Sequence, residues 1–169
     1  MTLRKADSSA MMVFTMSLDS NVNVIPGLNR GRLALIDKFG LIERWVCSSS
    51  FNSQQQVSDW NQRGGIMPPT SSMPEHKHWE FHTKRLFQPG QPVDDGYLIT
   101  FKGSTEYKTL EGAVRSELMV HDDKNRNTNP GSYGCIFTMS TTEWDDLTKK
   151  VEFAVSHLPV IPLFCIYTY

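Results

Sequence analysis

His121 and Cys135 are the pair of residues in this chain whose types and spacing suit covalent chemistry. A thiol at neutral pH is a weak nucleophile until it loses its proton. A neighbouring imidazole can take that proton, and the resulting imidazolium then favours the thiolate. The histidine closes the apolar run Glu117-Leu118-Met119-Val120-His121, and the cysteine opens the next run, Cys135-Ile136-Phe137-Thr138-Met139. Between them lie the polar stretch Asp122 to Pro130 and then Gly131-Ser132-Tyr133-Gly134. If the two runs are neighbouring strands, the connection folds back and both side chains meet at one edge of the sheet, at an open cleft. Glycines here let the backbone pass close to a substrate and can aim amide N–H groups at an oxyanion. Free cysteine is also among the most buried residue types and usually acts as a small hydrophobe, so residue type alone leaves Cys135 open to both readings.

Other candidates are weaker. Arg115, six residues before His121, carries a planar fork suited to a substrate carboxylate. The reading favoured here is a surface arginine at a strand end, paired with Glu117 or Glu111. In Glu75-His76-Lys77-His78-Trp79-Glu80-Phe81-His82, His76 and His78 would share one face of a strand and could offer imidazoles to zinc. No second ligand cluster of known spacing follows, so an exposed polar strand or the wall of a site is preferred, and no metal is expected. Asp123 to Asn127 copies the start of a calcium-binding loop, but Thr128 replaces the required glycine and Gly134 the bidentate glutamate. Cys47 and Cys165 lie within apolar runs and read as buried thiols.

The rest of the chain must position the pair. Its 169 residues suit one domain with a real core. A formal net charge of -1 carries no basic excess for nucleic acid. No run of about 18 apolar residues is present to insert into a membrane. No signal peptide is visible near the start, where Ala6-Asp7-Ser8-Ser9-Ala10 interrupts any apolar stretch. The chain is therefore expected to be cytoplasmic as synthesised, or to leave the cell by another route. Three widely spaced cysteines fit neither a disulfide framework nor a paired-cysteine zinc site.

Residues 1–12 read as a loose leader, and 13–169 as a single domain. Short strands are expected at Val13 to Leu18, Leu33 to Asp37, Leu41 to Cys47, Tyr97 to Phe101, Glu117 to His121 and Cys135 to Met139. Lys38-Phe39-Gly40 would make a hairpin connection, whereas Arg63 to Thr70 and Gln88 to Pro92 are too rich in glycine and proline for regular structure. One helix is well marked. Ser140-Thr141-Thr142-Glu143 fits a capping box, and Trp144, Leu147, Val151, Ala154, Val155 and Leu158 recur at helical spacing before Pro159 stops it. A last strand is expected over Val160 to Tyr169. The sum is an α+β domain, mainly β, with one main helix near the C-terminus.

His121, followed fourteen positions later by the cysteine of Ser132-Tyr133-Gly134-Cys135-Ile136, resembles the L,D-transpeptidase catalytic domain family, also called the YkuD domain. That family's signature is a histidine, a loop, then Ser/Thr-His-Gly-Cys and an apolar residue. The Leu33–Val46 hairpin, the Gly/Pro segment Arg63 to Pro69, and the helix followed by a last strand are similar in order to the family's elements. Over roughly residues 13 to 169 the order matches, but only the His…Ser-x-Gly-Cys segment is specific. Tyr133 stands where the motif has a second histidine, and Phe137 where an arginine often follows. These departures bear on substrate preference and mark a divergent member.

The resemblance implies a β-sandwich or barrel and a peptidoglycan stem peptide as partner, processed at the cell wall or periplasm. Cys135 would attack the carbonyl of the third residue's L-centre and His121 would serve as base. Amides around Gly134, helped by the Tyr133 hydroxyl, would hold the oxyanion. Ser132, Arg115, His78 and His82 would border the substrate. The thioester would pass to an amine (L,D-transpeptidase) or to water (L,D-carboxypeptidase), with no cofactor. A catalytically inactive domain of the same fold, binding cell-wall peptide or a protein partner, is the alternative that Tyr133 favours.

Overall fold

The fold is seen in a computed structural model that describes residues 2–18, 29–49, 60–61, 65–73, 78–112, 114–124 and 134–168. The described residues are mainly β with one main helix near the C-terminus. In order the strands are β1 (Met11–Ser17), β2 (Gly31–Asp37), β3 (Gly40–Ser48), β4 (Trp79–His82), β5 (Leu86–Phe87), β6 (Asp95–Thr100), β7 (Glu106–Lys108), β8 (Val114–Ser116), β9 (Met119–Asp122) and β10 (Ile136–Thr138). Helix α1 (Thr141–Val155) and strand β11 (Val160–Thr168) complete the chain.

Eight of these strands form a closed ring. The hydrogen-bonded order runs β4-β11-β1-β2-β3-β10-β9-β6, and β6 returns to β4 through Glu80 opposite Thr100 and Phe81 opposite Ile99. Short β5 adds to the start of β6, and β7 and β8 form a separate hairpin. Because side chains alternate across a strand, one residue in two faces the lumen. The interior positions agree from strand to strand. Phe14 pairs with Leu33 and Cys165, Leu33 with Trp45, Leu163 with Trp79, Phe81 with Ile99, and Tyr97 with Val120, which in turn pairs with Ile136. All of these side chains belong to one buried apolar cluster. Cys47 and Cys165 lie inside it, and burial pushes both thiols well above the ordinary cysteine range.

The helix closes a gap in this wall. Strand β10 pairs with only Ser48 and Cys47 of β3. Below that point α1 runs beside β3. Glu143 accepts from the Val46 amide, Asp146 accepts from the Trp45 indole at 2.9 Å, and Lys150 bonds Glu43. The Ser140 hydroxyl caps the helix by accepting from the Glu143 amide at 3.1 Å, one half of the expected capping box, while the Glu143 carboxylate goes to Val46. Trp144, Leu147, Val151, Ala154 and Val155 join the barrel core. Among the described residues no helix is long and apolar enough to cross a membrane.

Two expectations are corrected, and three short strands carried no sequence signal. The segment before residue 13 is not loose: β1 starts at Met11, Ala6 and Ala10 are buried, the Ala6 amide bonds the Ala154 carbonyl, and Arg4 grips Asp37 with two hydrogen bonds of 2.5 and 2.6 Å. Apolar Met11 and Met12 extend the strand pattern, and the alanines are small enough to pack beneath α1. The helix ends at Val155 rather than Leu158, whose amide closes a turn on the Val155 carbonyl. Strands β5, β7 and β8 have two or three residues each, too few for a period to be read.

Candidate active site

Strands β9 and β10 are neighbours and run parallel, with Val120 opposite Ile136 and His121 opposite Phe137. Val120 and Ile136 point into the barrel core. Alternation therefore places Met119, His121, Cys135 and Phe137 on the outer face. Cys135 sits one residue before β10 and lies diagonal to His121. Sequence-expected nucleophile and base thus come together on one surface of adjacent strands. Both are 8% exposed, so they form a nearly covered pair rather than one set at an open cleft.

The imidazole has a fixed tautomer. Its Nδ1 lies 2.7 Å from the Asp122 carbonyl oxygen, which can only accept, so Nδ1 carries the proton. Nε2 then presents a lone pair, is buried, and has no hydrogen bond of ordinary geometry. Burial disfavours the imidazolium, but bonding and charge at Cys135, the Asp122 carbonyl and the Asp123 carboxylate outweigh it and raise the His121 pKa above the ordinary value. The Phe137 ring, 6.4 Å from the imidazole centroid, supplies an apolar flank.

The strand that carries this imidazole packs closely on β6. Gly96 pairs directly with His121, and a Cβ there would come 2.7 Å from the Val120 carbonyl, 3.0 Å from the Met119 methyl and 3.3 Å from the His121 Cβ. In the sequence Gly96 follows Asp94-Asp95 just ahead of the expected Tyr97–Phe101 strand and reads as a turn glycine, so no signal there marks it as a close approach inside β6.

The thiol faces the Glu117 carbonyl. Glu117 adopts a left-handed backbone (φ 56°), fixed by its amide bonding the Thr105 carbonyl at 3.0 Å, and its own carbonyl lies 3.9 Å from the Cys135 sulfur. No sequence feature marks a glutamate for that conformation. Gly134 is also left-handed (φ 104°), a backbone that suits glycine. Its carbonyl accepts from the Ser49 hydroxyl at 3.5 Å, while that oxygen accepts from the Met67 amide at 2.7 Å.

Arg115 is not on the surface, and its guanidinium bonds backbone carbonyls far away in the chain. It is 3% exposed. Its guanidinium donates to the carbonyls of Trp60 at 2.6 Å, Gly65 at 2.8 Å and Ile66 at 3.1 Å. These donors tie down the Gly/Pro segment, so the fork is not presented to a substrate carboxylate.

The two histidines expected to border the site lie apart from it. His78 is exposed beside Phe164, with Nδ1 on the Trp79 carbonyl at 2.9 Å. His82 is on β4, separated from β9 by β6, and its Nε2 meets the Thr100 hydroxyl at 2.8 Å, which itself donates to Glu80 at 2.6 Å. These positions remove both from contact with the thiol. Ser132, Tyr133 and His76 lie outside the described residues. Among the described residues no three His, Cys, Asp or Glu side chains converge as a metal site.

The chain matches no model of a known protein family, no curated protein and no solved structure.

Proposed function

We propose that this chain is a cysteine acyl-transfer enzyme acting on peptidoglycan stem peptides, of the L,D-transpeptidase or L,D-carboxypeptidase kind that its His…Ser-x-Gly-Cys segment resembles. The observation that carries the chemistry is the His121 imidazole, anchored through Nδ1 with Nε2 buried, on the strand next to the one that Cys135 opens and with Cys135 acting on its protonation. The peptidoglycan substrate rests on the sequence resemblance.

In the proposed reaction Nε2 takes the thiol proton as sulfur bonds to the carbonyl carbon of the stem peptide's third residue. The carbonyl π pair moves onto oxygen, where amides at Gly134 and Cys135 stabilise the charge. Collapse of this intermediate breaks the C–N bond, and the imidazolium proton goes to the departing D-residue amine. An amine or water then attacks the thioester, passing its proton to Nε2, and the thiolate leaves and is reprotonated.

Incubation with purified muropeptides, read by mass spectrometry, tests this. Loss of a terminal D-residue marks a carboxypeptidase and a joined dimer a transpeptidase, each abolished by Cys135→Ala. Unchanged muropeptides together with their saturable binding would instead support the non-catalytic peptide-binding domain. The 8% exposure of Cys135 favours that second reading. The absence of both turnover and binding would refute the peptidoglycan assignment.

A further inference from the structure

We propose that Arg115 is a positioning residue for Cys135, acting through Gly134 without touching substrate. This rests on Cys135 being the nucleophile. The guanidinium lies against the Gly134 Cα: a Cβ built there would collide with Nη2 of Arg115, and would come 3.1 Å from its Cζ and 2.9 Å from the Gly65 carbonyl. The same guanidinium is fixed from behind by the carbonyls of residues 60, 65 and 66. It therefore forms a rigid wall behind the residue that precedes the sulfur.

The geometry needs such a wall. Gly134 is left-handed, and glycine has no side chain to hold that conformation against the alternatives open to it. The Ser49 contact at 3.5 Å is a weak restraint on its carbonyl. Arg115 also belongs to the same segment as Glu117, whose carbonyl faces the sulfur. One short stretch thus touches the Gly134-Cys135 unit on two sides. A planar fork can bridge several carbonyls at once, whereas an ammonium is a compact point donor. The role should therefore not survive exchange for lysine.

The test is alkylation of Cys135 by iodoacetamide across pH in the full chain, which needs no peptidoglycan. Cys47 and Cys165 are at most 1% exposed and stay unlabelled while the fold holds. Arg115→Gln and Arg115→Lys should fold, by circular dichroism, yet alkylate at pH 7 at least about tenfold more slowly, a rate loss equivalent to ~1.4 kcal/mol. If Gln fails to fold, Lys serves as the milder change. Adding Gly134→Ala to either variant should cost less than it costs alone, because both act through one contact. Wild-type rates in a folded Arg115 variant, or additive losses in the double variant, would overturn the proposal. A wild-type Cys135 no more reactive than a free thiol, and indifferent to His121→Ala, would overturn the nucleophile reading along with it.

Discussion

Gly96 on β6 lies directly opposite His121 on β9, and only the missing side chain at Gly96 leaves room for the imidazole's strand to pack there. Gly96→Ala should lower stability by about 1–3 kcal/mol, the usual cost of forcing a methyl into a tight site. It should also slow Cys135 alkylation, because the clash bears on His121 itself. Urea melts and alkylation of the folded variant check both effects. Unaltered stability would mean that β6 can move away freely.

His121→Ala removes the base while sparing the strand. Alkylation and any acyl transfer should fall by about 10²-fold or more at pH 7, within the range for general-base groups. The Cys135→Ser variant should be inert in acyl transfer while retaining the wild-type Tm within a few degrees. A folded His121→Ala variant with full thiol reactivity would show that the imidazole does not serve this sulfur.

The raised pKa of His121 makes a signed prediction about stability. A group whose folded pKa lies above its unfolded value of about 6.5 stabilises fully below that value, and the contribution is lost as pH rises through the folded pKa. Cys135 is a cause of the raising, against the opposing effect of burial. Cys135→Ala should therefore be more destabilising at pH 5.5 than at pH 8.5 when both proteins are unfolded in urea. An equal difference at the two pH values would mean that the pair is not coupled.

Arg4 and Asp37 tie the first residues to the barrel. Hydrogen bonding from Arg4 holds the Asp37 carboxyl well below its ordinary range, against the opposing effect of burial, with the amides of Asp7 and Phe39 adding to the depression. A depressed carboxyl stabilises above its unfolded pKa of about 3.9, and that contribution is lost as pH falls through the folded value. Arg4→Ala should lower the Tm by several degrees at pH 7, and the deficit should narrow towards pH 2. Thermal melts along that range measure it.

Much of the barrel was legible in the sequence because its longer strands alternate cleanly. Leu33 to Cys47 announced a hairpin, and the Trp144 to Val155 periodicity announced the helix. The parallel pairing of β9 with β10 was not readable, since three or four residues carry no register information. The site divided in the same way. His121 and Cys135 were found because their side chains carry the chemistry. The contributions of Asp122 and Glu117 come from carbonyls, which every residue possesses. Arg115 was misplaced because Glu111 and Glu117 close by in sequence suggest a surface ion pair, whereas its guanidinium reaches carbonyls about fifty residues away, which no residue type marks. The assignment of His78 and His82 to the site followed from the resemblance, and the strand order puts them elsewhere.

Phe137 beside the imidazole has a consequence for the protein at rest. An apolar ring and near-complete burial make an isolated positive charge on His121 expensive, so the imidazolium is tolerable chiefly with a negative sulfur next to it. With Nε2 buried and an apolar ring on its flank, bulk water has little access to the imidazole, so exchange of its ring proton with solvent should be slow.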